Sequence, residues 1–579
     1  MYADQYELEA TWSNRATDDI ILDSIKGKVS HEMGCIITDA IKELGCADEA
    51  SMYVGLFSFI LKDKAAKPIQ AIATQLGHVA GKNDAIEAFE WGVSLLKLCK
   101  ISGLYDLVKG TEDGTWYVIP NFVLSKVTKQ KLDKLQYLPP MQVVPLDWSS
   151  HTNGGYLYER KNILLGKKFC KHDKPLAYDA INKLQKVAFC IDTETYLTEK
   201  ETNRTLNKKK FLRVLNEYID KPFHFVWRYD SRGRSYCSGY HLSIQSNEYG
   251  KALLSLYNKE PITTLDNLYI AIANHAGHDK LTWDERINWT HTNINTSIKW
   301  KEPMLGRKAL RALEDAKNGK PSGYMVSADA TTSGYQILAV LSGCKETALL
   351  TNCIDPTTRH DLYTKVANLM NGQLDKPVHR AVIKKCVMRH GFNSTKEPKI
   401  LLSEKGLKVF YRVMKGLLPG AEEVKEIVNS CWNADADHHT WTLPDGHTAY
   451  IPVGTKEGVD VTYTDSELGE VPLRFFKQMP SDNYRSLLPN IVHSVDGYVA
   501  REMVRRCDFQ MVHVHDNFLC SPDHLQDMCR IYREIMAEIA KSDLLQDILR
   551  QITGDVELTI TKYSIDLDKD ILGSSYMLS

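Results

Sequence analysis

The chain has 579 residues, 43% of them hydrophobic and 25% charged. That balance excludes a disordered or collagen-like polypeptide and, at roughly 100–200 residues per domain, implies about three to five modules. With 72 Lys and Arg against 73 Asp and Glu, the net charge of −1 excludes a uniformly basic coat, so any nucleic-acid contact must come from local basic clusters.

Thirteen cysteines without a Cys-x-x-Cys pair argue against a zinc ribbon or a disulfide scaffold and fit a reducing compartment. The acidic segment Met1–Glu9 has neither the Arg-rich character of a transit peptide nor the apolar core of a signal peptide. Apolar runs such as Tyr53–Leu61 fall far short of the ~20 residues that span a bilayer. A soluble intracellular protein is expected.

Residues 1 to about 107 read mostly as helices, with Ile36–Ile41–Leu44 and Ile69–Ile72–Leu76 at helical spacing. Two short apolar runs flank Glu112-Asp113-Gly114 between Leu107 and Pro120, a hairpin signal. Pro139, Pro140 and Pro145, then Gly154-Gly155, predict an irregular linker over 138–156, and Asp179–Ile191 reads as a helix. Thr202–Arg213 holds Arg204, Lys208, Lys209, Lys210 and Arg213 with no acid; a solvated helix face is the plain alternative there. From about 222 onward the texture is α+β rather than a regular βαβ repeat.

Three constellations carry chemistry. In Gly323–Leu341, Tyr324–Val326 reads as a strand and Ile337–Leu341 as helix core, so Asp329 lies at a strand end before a turn, facing a cleft or simply capping that turn. In His379–Ser394, Arg380, Lys384 and Met388 drift only ~40° per step round a helix, with Phe392 next if the helix persists past Gly391. Two cations and an aromatic on one stripe suit a nucleoside triphosphate; the alternative is a solvated basic face. In Phe509–Cys520, Val512, Val514 and Phe518 alternate with polar residues around His515-Asp516-Asn517, a hairpin with Asp516 at its tip. His513 and His515 make only a weak metal pair without a third ligand. Taken together, two Asp residues 187 positions apart can meet if their strands share a sheet. Juxtaposed carboxylates with hard oxygen ligands select Mg²⁺, and a pair of such ions beside Arg380 and Lys384 is the chemistry of a nucleotidyl transferase.

These residues resemble the phage-type single-subunit DNA-directed RNA polymerases, a family with mitochondrial members. Asp329 with Ser333-Gly334-Tyr335-Gln336 resembles motif A, Arg380-x3-Lys384-x7-Phe392-Asn393-Ser394 resembles motif B, and His515-Asp516-Asn517-Phe518 resembles motif C, in the family's order. Tyr229–Tyr236 resembles the Asp-x-Arg-Gly-Arg-x-Tyr segment on the template–product hybrid. His360-Asp361-Leu362-Tyr363, Pro489–Gly497, Trp441–Gly446 and the Asp570–Ser579 end are also similar, and weaker likeness reaches back through Pro139–Tyr156 and Ala177–Phe189.

The resemblance implies an α+β right-hand fold of palm, fingers and reduced thumb behind a mainly helical N-terminal domain. The implied parts are residues 1–190, with a promoter-melting hairpin at 108–120; a thumb remnant at 191–222; and palm and fingers at 223–579, with a specificity hairpin at 446–480. The implied reaction is DNA-templated transfer of NMP from NTP to an RNA 3′ end. Asp329, Asp516 and the backbone carbonyl of Ala330 would hold two Mg²⁺ ions, with Lys384 as the third catalytic group. Arg380, Lys384, Phe392, Tyr363 and His493 would bind the NTP, while Arg232, Arg234, Lys208, Lys209, Lys210 and Trp116 would contact nucleic acid. The implied partners are template DNA, RNA product, NTPs and an accessory factor for promoter recruitment or processivity, with no membrane, in the bacterial cytoplasm of a phage host.

Three departures stand out. Phe392 occupies the place of the family's usual Tyr, whose hydroxyl helps select ribose, shifting that selection to His493 and Tyr363. Ala330 replaces a Gly after the metal Asp. Only 40 residues separate Phe189 from Asp230, where larger relatives insert a long thumb, implying low processivity. The rival readings are a DNA polymerase or primase-like enzyme of the same fold, and a non-catalytic DNA-binding subunit.

Overall fold

The computed structural model describes residues 4–6, 8–9, 31–61, 64–111, 114–124, 138–157, 161–166, 172–199, 215–239 and 242–579. Thr202–Arg213, with Lys208, Lys209 and Lys210, lies outside them, as do Glu112 and Asp113 of the first hairpin turn. Two compact units emerge, one of residues 1–138 with 455–479, the other of 139–454 with 480–579.

In the N-terminal unit four helices, His31–Glu43, Glu49–Ile60, Ile69–Val79 and Ala85–Lys100, enclose a core of Ile41, Leu56, Phe57, Leu76, Phe89 and Leu96. Asp48 and Asp84 cap the second and fourth by accepting from backbone amides of the first turn. Tyr105–Lys109 and Trp116–Pro120 pair antiparallel as a hairpin, and Lys67–Pro68 adds a short third strand.

A ribbon of two 11-residue strands, Thr455–Asp465 and Gly469–Met479, completes this unit. Its closed end is buried: Leu468, Val471 and Leu473 join the helical core, Tyr463 meets Phe89 edge-on, and Lys97 grips both oxygens of Asp465 at 3.1 and 3.0 Å. Toward the open end Lys456, Val459, Arg474 and Phe476 are exposed.

The ribbon corrects the expected 446–480 hairpin. Thr448–Pro452 pairs instead with His438–Thr442 as a separate hairpin of the second unit, so the ribbon starts at Thr455. The expected linker over 138–156 is irregular, without helix or strand, and it is packed: Trp148 is buried and its indole donates to Gln185 Oε1 and to Trp227 O. The expected helix Asp179–Ile191 ends at Gln185, and Phe189–Ile191 turns into a strand that pairs with Leu254–Leu256 and buries Phe189.

The second unit is α+β, with small antiparallel sheets among helices. At its centre lies a three-stranded sheet in the order Met511–Val514, Asn517–Cys520, Val326–Asp329. The strand expected at Tyr324–Val326 is therefore displaced toward Asp329. Helices Ser333–Ser342, Leu487–Arg506 and Leu525–Lys541 pack against one another, burying Ile337, Leu341, Ile491, Val495, Met528 and Ile535. Pro489 is tolerated in the first turn of the 20-residue Leu487–Arg506 helix because the amide it lacks would have no intrahelical acceptor there. Among the described residues, no helix is long and apolar enough to cross a membrane.

Candidate active site

The central sheet brings the two aspartates together. Asn517 is the register partner of Asp329, and Ala330 N donates to Asp516 O at 3.0 Å, fixing the strand end beside the hairpin tip. His515 enters the two-residue turn with φ of +57°, a left-handed conformation that costs energy in a non-glycine residue and aims the turn. Asp329 opens to the cleft, yet the protein around it and the negative charge of Asp516 push its carboxyl pKa well up. Lys280, a hydrogen bond from Asn517 and the charge of Lys384 pull it back only in part.

The residues following Asp329 are also held. Asp329 and Ser579 exchange backbone bonds at 3.0 and 3.3 Å, and Thr331 N donates to Met577 O. Gln336 Nε2 donates to Thr331 Oγ1, Thr351 O and Met577 O, while its oxygen accepts from Tyr532. Arg286 and Arg359 both donate to Ser579 Oγ. A cavity of about 320 Å³ opens beside Asp329, lined by Ser327, Asn517, His275, Glu302, Tyr324 and Lys301 among others.

Helix Arg380–Gly391, capped by His379, buries Ile383, Cys386, Val387 and His390 and leaves Lys384, Lys385 and Met388 exposed. Arg380 is committed: its guanidinium binds Asp361 at 2.5 Å and Thr364 Oγ1 at 2.8 Å. Arg380 and Lys384 lie 5.7 and 5.6 Å from the centre of the Tyr363 ring. Burial, then the charge of Asp361, pushes the Tyr363 hydroxyl up to about 12. The helix stops at Gly391, and Phe392 caps it with its ring 4.9 Å from that of His493.

His493 rises from the Leu487–Arg506 helix, against the loop that joins strands Val226–Tyr229 and Ser235–Ser238. In that loop Asp230 accepts from the amides of Arg232 and Arg234, from Arg232 Nε and Nη2, and from the Tyr236 hydroxyl. Arg232 Nη1 then reaches His493 Nδ1 at 2.6 Å, and Arg234 Nε reaches Asp496 Oδ2 at 2.9 Å. Burial holds the imidazole of His493 down to about 2, with Arg234 and Arg232 adding to it, and pushes the Asp496 carboxyl up to about 6 against the pull of Arg234. Gly233, at φ +89°, sends its carbonyl to Arg501 Nη1 at 2.8 Å; Arg501 is in turn held by the buried Asp445.

Asp329, Asp516, Lys384, Arg380, Tyr363, Phe392, His493, Arg232 and Arg234 thus fall in one unit, tied by the contacts above. Trp116 belongs to the N-terminal unit, half-buried, its indole donating to Leu468 O at 3.0 Å. The suggestion of a His513–His515 metal pair fails, because His513 is buried with its two ring nitrogens on Ser235 Oγ and His515 O. Sequence reasoning missed Asp230 as a hub, Asp361 as the partner of Arg380, and Lys280. Both acids stand inside quoted motifs, whereas nothing around Lys280 marks it.

A carboxyl group at Asp329 that the charge of Asp516 helps to push up marks a site short of positive charge, and the hard-oxygen donor set fits a divalent cation. Beside it an exposed lysine suits the phosphates of a polyanionic substrate.

The sequence pattern of the DNA-dependent RNA polymerase family matches residues 261–400 and 475–575. A probable DNA-directed RNA polymerase of Gelasinospora sp. (strain G114) is 22% identical over 532 residues, 74% of this chain and 63% of that protein. The DNA-directed RNA polymerase of Pseudomonas phage phiKMV is 27% identical over 31% of this chain and 25% of its own length. The mitochondrial DNA-directed RNA polymerase of Schizosaccharomyces pombe is 22% identical over 59% of this chain and 36% of its own. The chain thus spans less than two thirds of the length of each of these relatives. The matched residues include both aspartate strands, the cationic helix and the helix of His493, and in them the chain is similar to the DNA-dependent RNA polymerase family.

Proposed function

We propose that the chain is a DNA-directed RNA polymerase that adds NMP from NTP to an RNA 3′ end opposite a DNA template and releases pyrophosphate. The observation that carries this reading is the Ala330–Asp516 backbone bond, which keeps two carboxylates from remote strands side by side within reach of the charge of Lys384. On this reading the three-stranded sheet is the palm, the Arg380–Gly391 helix belongs to the fingers, and a reduced thumb falls within 191–222. The Tyr105–Pro120 hairpin and the 455–479 ribbon act on promoter DNA.

Asp329, Asp516 and the Ala330 carbonyl would hold two Mg²⁺ ions. When bound, these activate the 3′ hydroxyl and neutralise charge on the departing pyrophosphate. Lys384 binds the triphosphate and gives a proton to pyrophosphate as it leaves. Arg380, aimed by Asp361 and Thr364, contacts phosphate oxygens, and Phe392 lies against the base. Tyr363 and His493 line the ribose.

Extension of a primed DNA template with NTPs and Mg²⁺ tests the reading. Asp516→Ala is expected to abolish extension and to leave template binding within about twofold, since one carboxylate contributes nothing favourable to phosphate contacts. Extension by that variant at the parent rate would refute the assignment. Faster extension with dNTPs than with NTPs would turn the reading to a DNA polymerase or primase-like enzyme, the alternative that Phe392 favours.

A further inference from the structure

Arg232 was expected on the nucleic-acid backbone, and in the structure three of its five N–H donors are directed at groups of the protein itself. Nε and Nη2 both go to Asp230 Oδ2, at 3.1 and 2.6 Å, and Nη1 goes to His493 Nδ1 at 2.6 Å. Its side chain is 27% exposed and that of Asp230 13%. A guanidinium has donors and no acceptor, so the nitrogen it touches must carry a lone pair. A neutral imidazole bears one proton, and with Nδ1 accepting, that proton sits on Nε2.

We propose that Arg232 is a positioning residue for sugar selection: it fixes His493 as the Nε2–H tautomer, so that this ring meets the incoming nucleotide only as a hydrogen-bond donor. The inference rests on the polymerase reading for its substrate, though not for the tautomer. Asp230 is the second part of the device, because it orients the guanidinium edge that leaves Nη1 for His493. Arg234, tied to Asp496 on the same helix, keeps the loop in register. Phe392, packed 4.9 Å from His493, offers no hydroxyl of its own. A donor at His493 finds an acceptor on a 2′-hydroxyl and none on a 2′-deoxy sugar. On this reading the imidazole is one of two groups, with the Tyr363 hydroxyl, through which ribose is told from deoxyribose.

Two measurements test this. In ¹⁵N spectra of the free full-length protein, the His493 signals, assigned as those lost in His493→Gln, should show a protonated Nε2 and a bare Nδ1. A protonated Nδ1 would overturn the proposal whatever the enzyme's activity. In primer extension, Arg232→Gln should lower the ratio of kcat/KM for NTP over dNTP by about tenfold, the weight of one hydrogen bond. Equal losses with both sugars, or a raised KM for template with the ratio unchanged, would make Arg232 a structural or backbone-binding residue and overturn it. If the parent protein extends no primer with either sugar, the polymerase reading fails, and the spectrum alone then decides the tautomer.

Discussion

Gly497→Ala probes the contact between the Leu487–Arg506 helix and the Asp230–Arg234 loop. A Cβ at Gly497 would lie 2.6 Å from Gly233 O and 2.8 Å from Gly233 C, both backbone atoms that no rotamer change can withdraw. Restoring ordinary contact requires the loop to retreat by about 0.8 Å. The 2.6 Å bond from Arg232 to His493 would then stretch past the ~3.2 Å limit of a good hydrogen bond. Two energies compete. Alanine gains about 1 kcal/mol over glycine inside a helix, whereas overpacking a buried contact costs about 1–3 kcal/mol. Packing prevails over most of that range, so urea unfolding should register a net loss of up to about 2 kcal/mol, accompanied by weaker preference for NTP over dNTP in primer extension. A variant as stable as the parent, with its sugar preference intact, would refute the idea that close backbone approach holds the loop in place.

Asp445→Asn leaves buried Arg501 short of its counter-charge, both side chains being 2% exposed, and is expected to cost about 3–5 kcal/mol in the same unfolding assay. Burial alone would raise the Asp445 carboxyl, but Arg501 and Arg505 hold it well below the usual range. Its stabilising contribution is therefore complete above the unfolded carboxylate value of about 3.9 and drains away as pH falls toward the lower folded value. Acid melts of the parent should show that slope below about pH 4, and those of the variant should lack it. Asp329→Asn removes one of two repelling carboxylates, so in EDTA at pH 8 its Tm should exceed the parent's. Added Mg²⁺ should raise the parent's Tm and leave the variant's nearly unchanged, and equal metal shifts would sink the site.

The features legible from sequence were those with a local signature. Alternation at two residues exposed the 511–520 hairpin, and the 3.6-residue period exposed the helix of Lys384, so the neighbourhoods of Asp329 and Asp516 were readable before their contact was. Helix Arg380–Gly391 ends where Gly391 suggested, and Phe392 takes the cap rather than a further place on the cationic stripe. Partnering was not legible. Arg380 and Arg232 were read for their ligands alone, because local sequence does not say that Asp361 and Asp230 will pair with them. Phe189–Ile191 looked helical because its strand partner, Leu254–Leu256, lies more than sixty positions on. The bond from the Trp116 indole was equally hidden, because its acceptor, Leu468, is 352 positions away.

The ribbon of 455–479 has a bearing on biosynthesis. Leu468, Val471 and Leu473 seal a hydrophobic cluster whose other members lie between Ile37 and Leu124. A ribosome that has emitted those first helices must translate some 340 further codons before their lid exists, roughly 17–70 s at common elongation speeds. Throughout that interval the apolar bed stands open to water, so the nascent chain is a client for holdase chaperones, and the amino-terminal unit, though begun first, cannot close until residues 455–479 have been made.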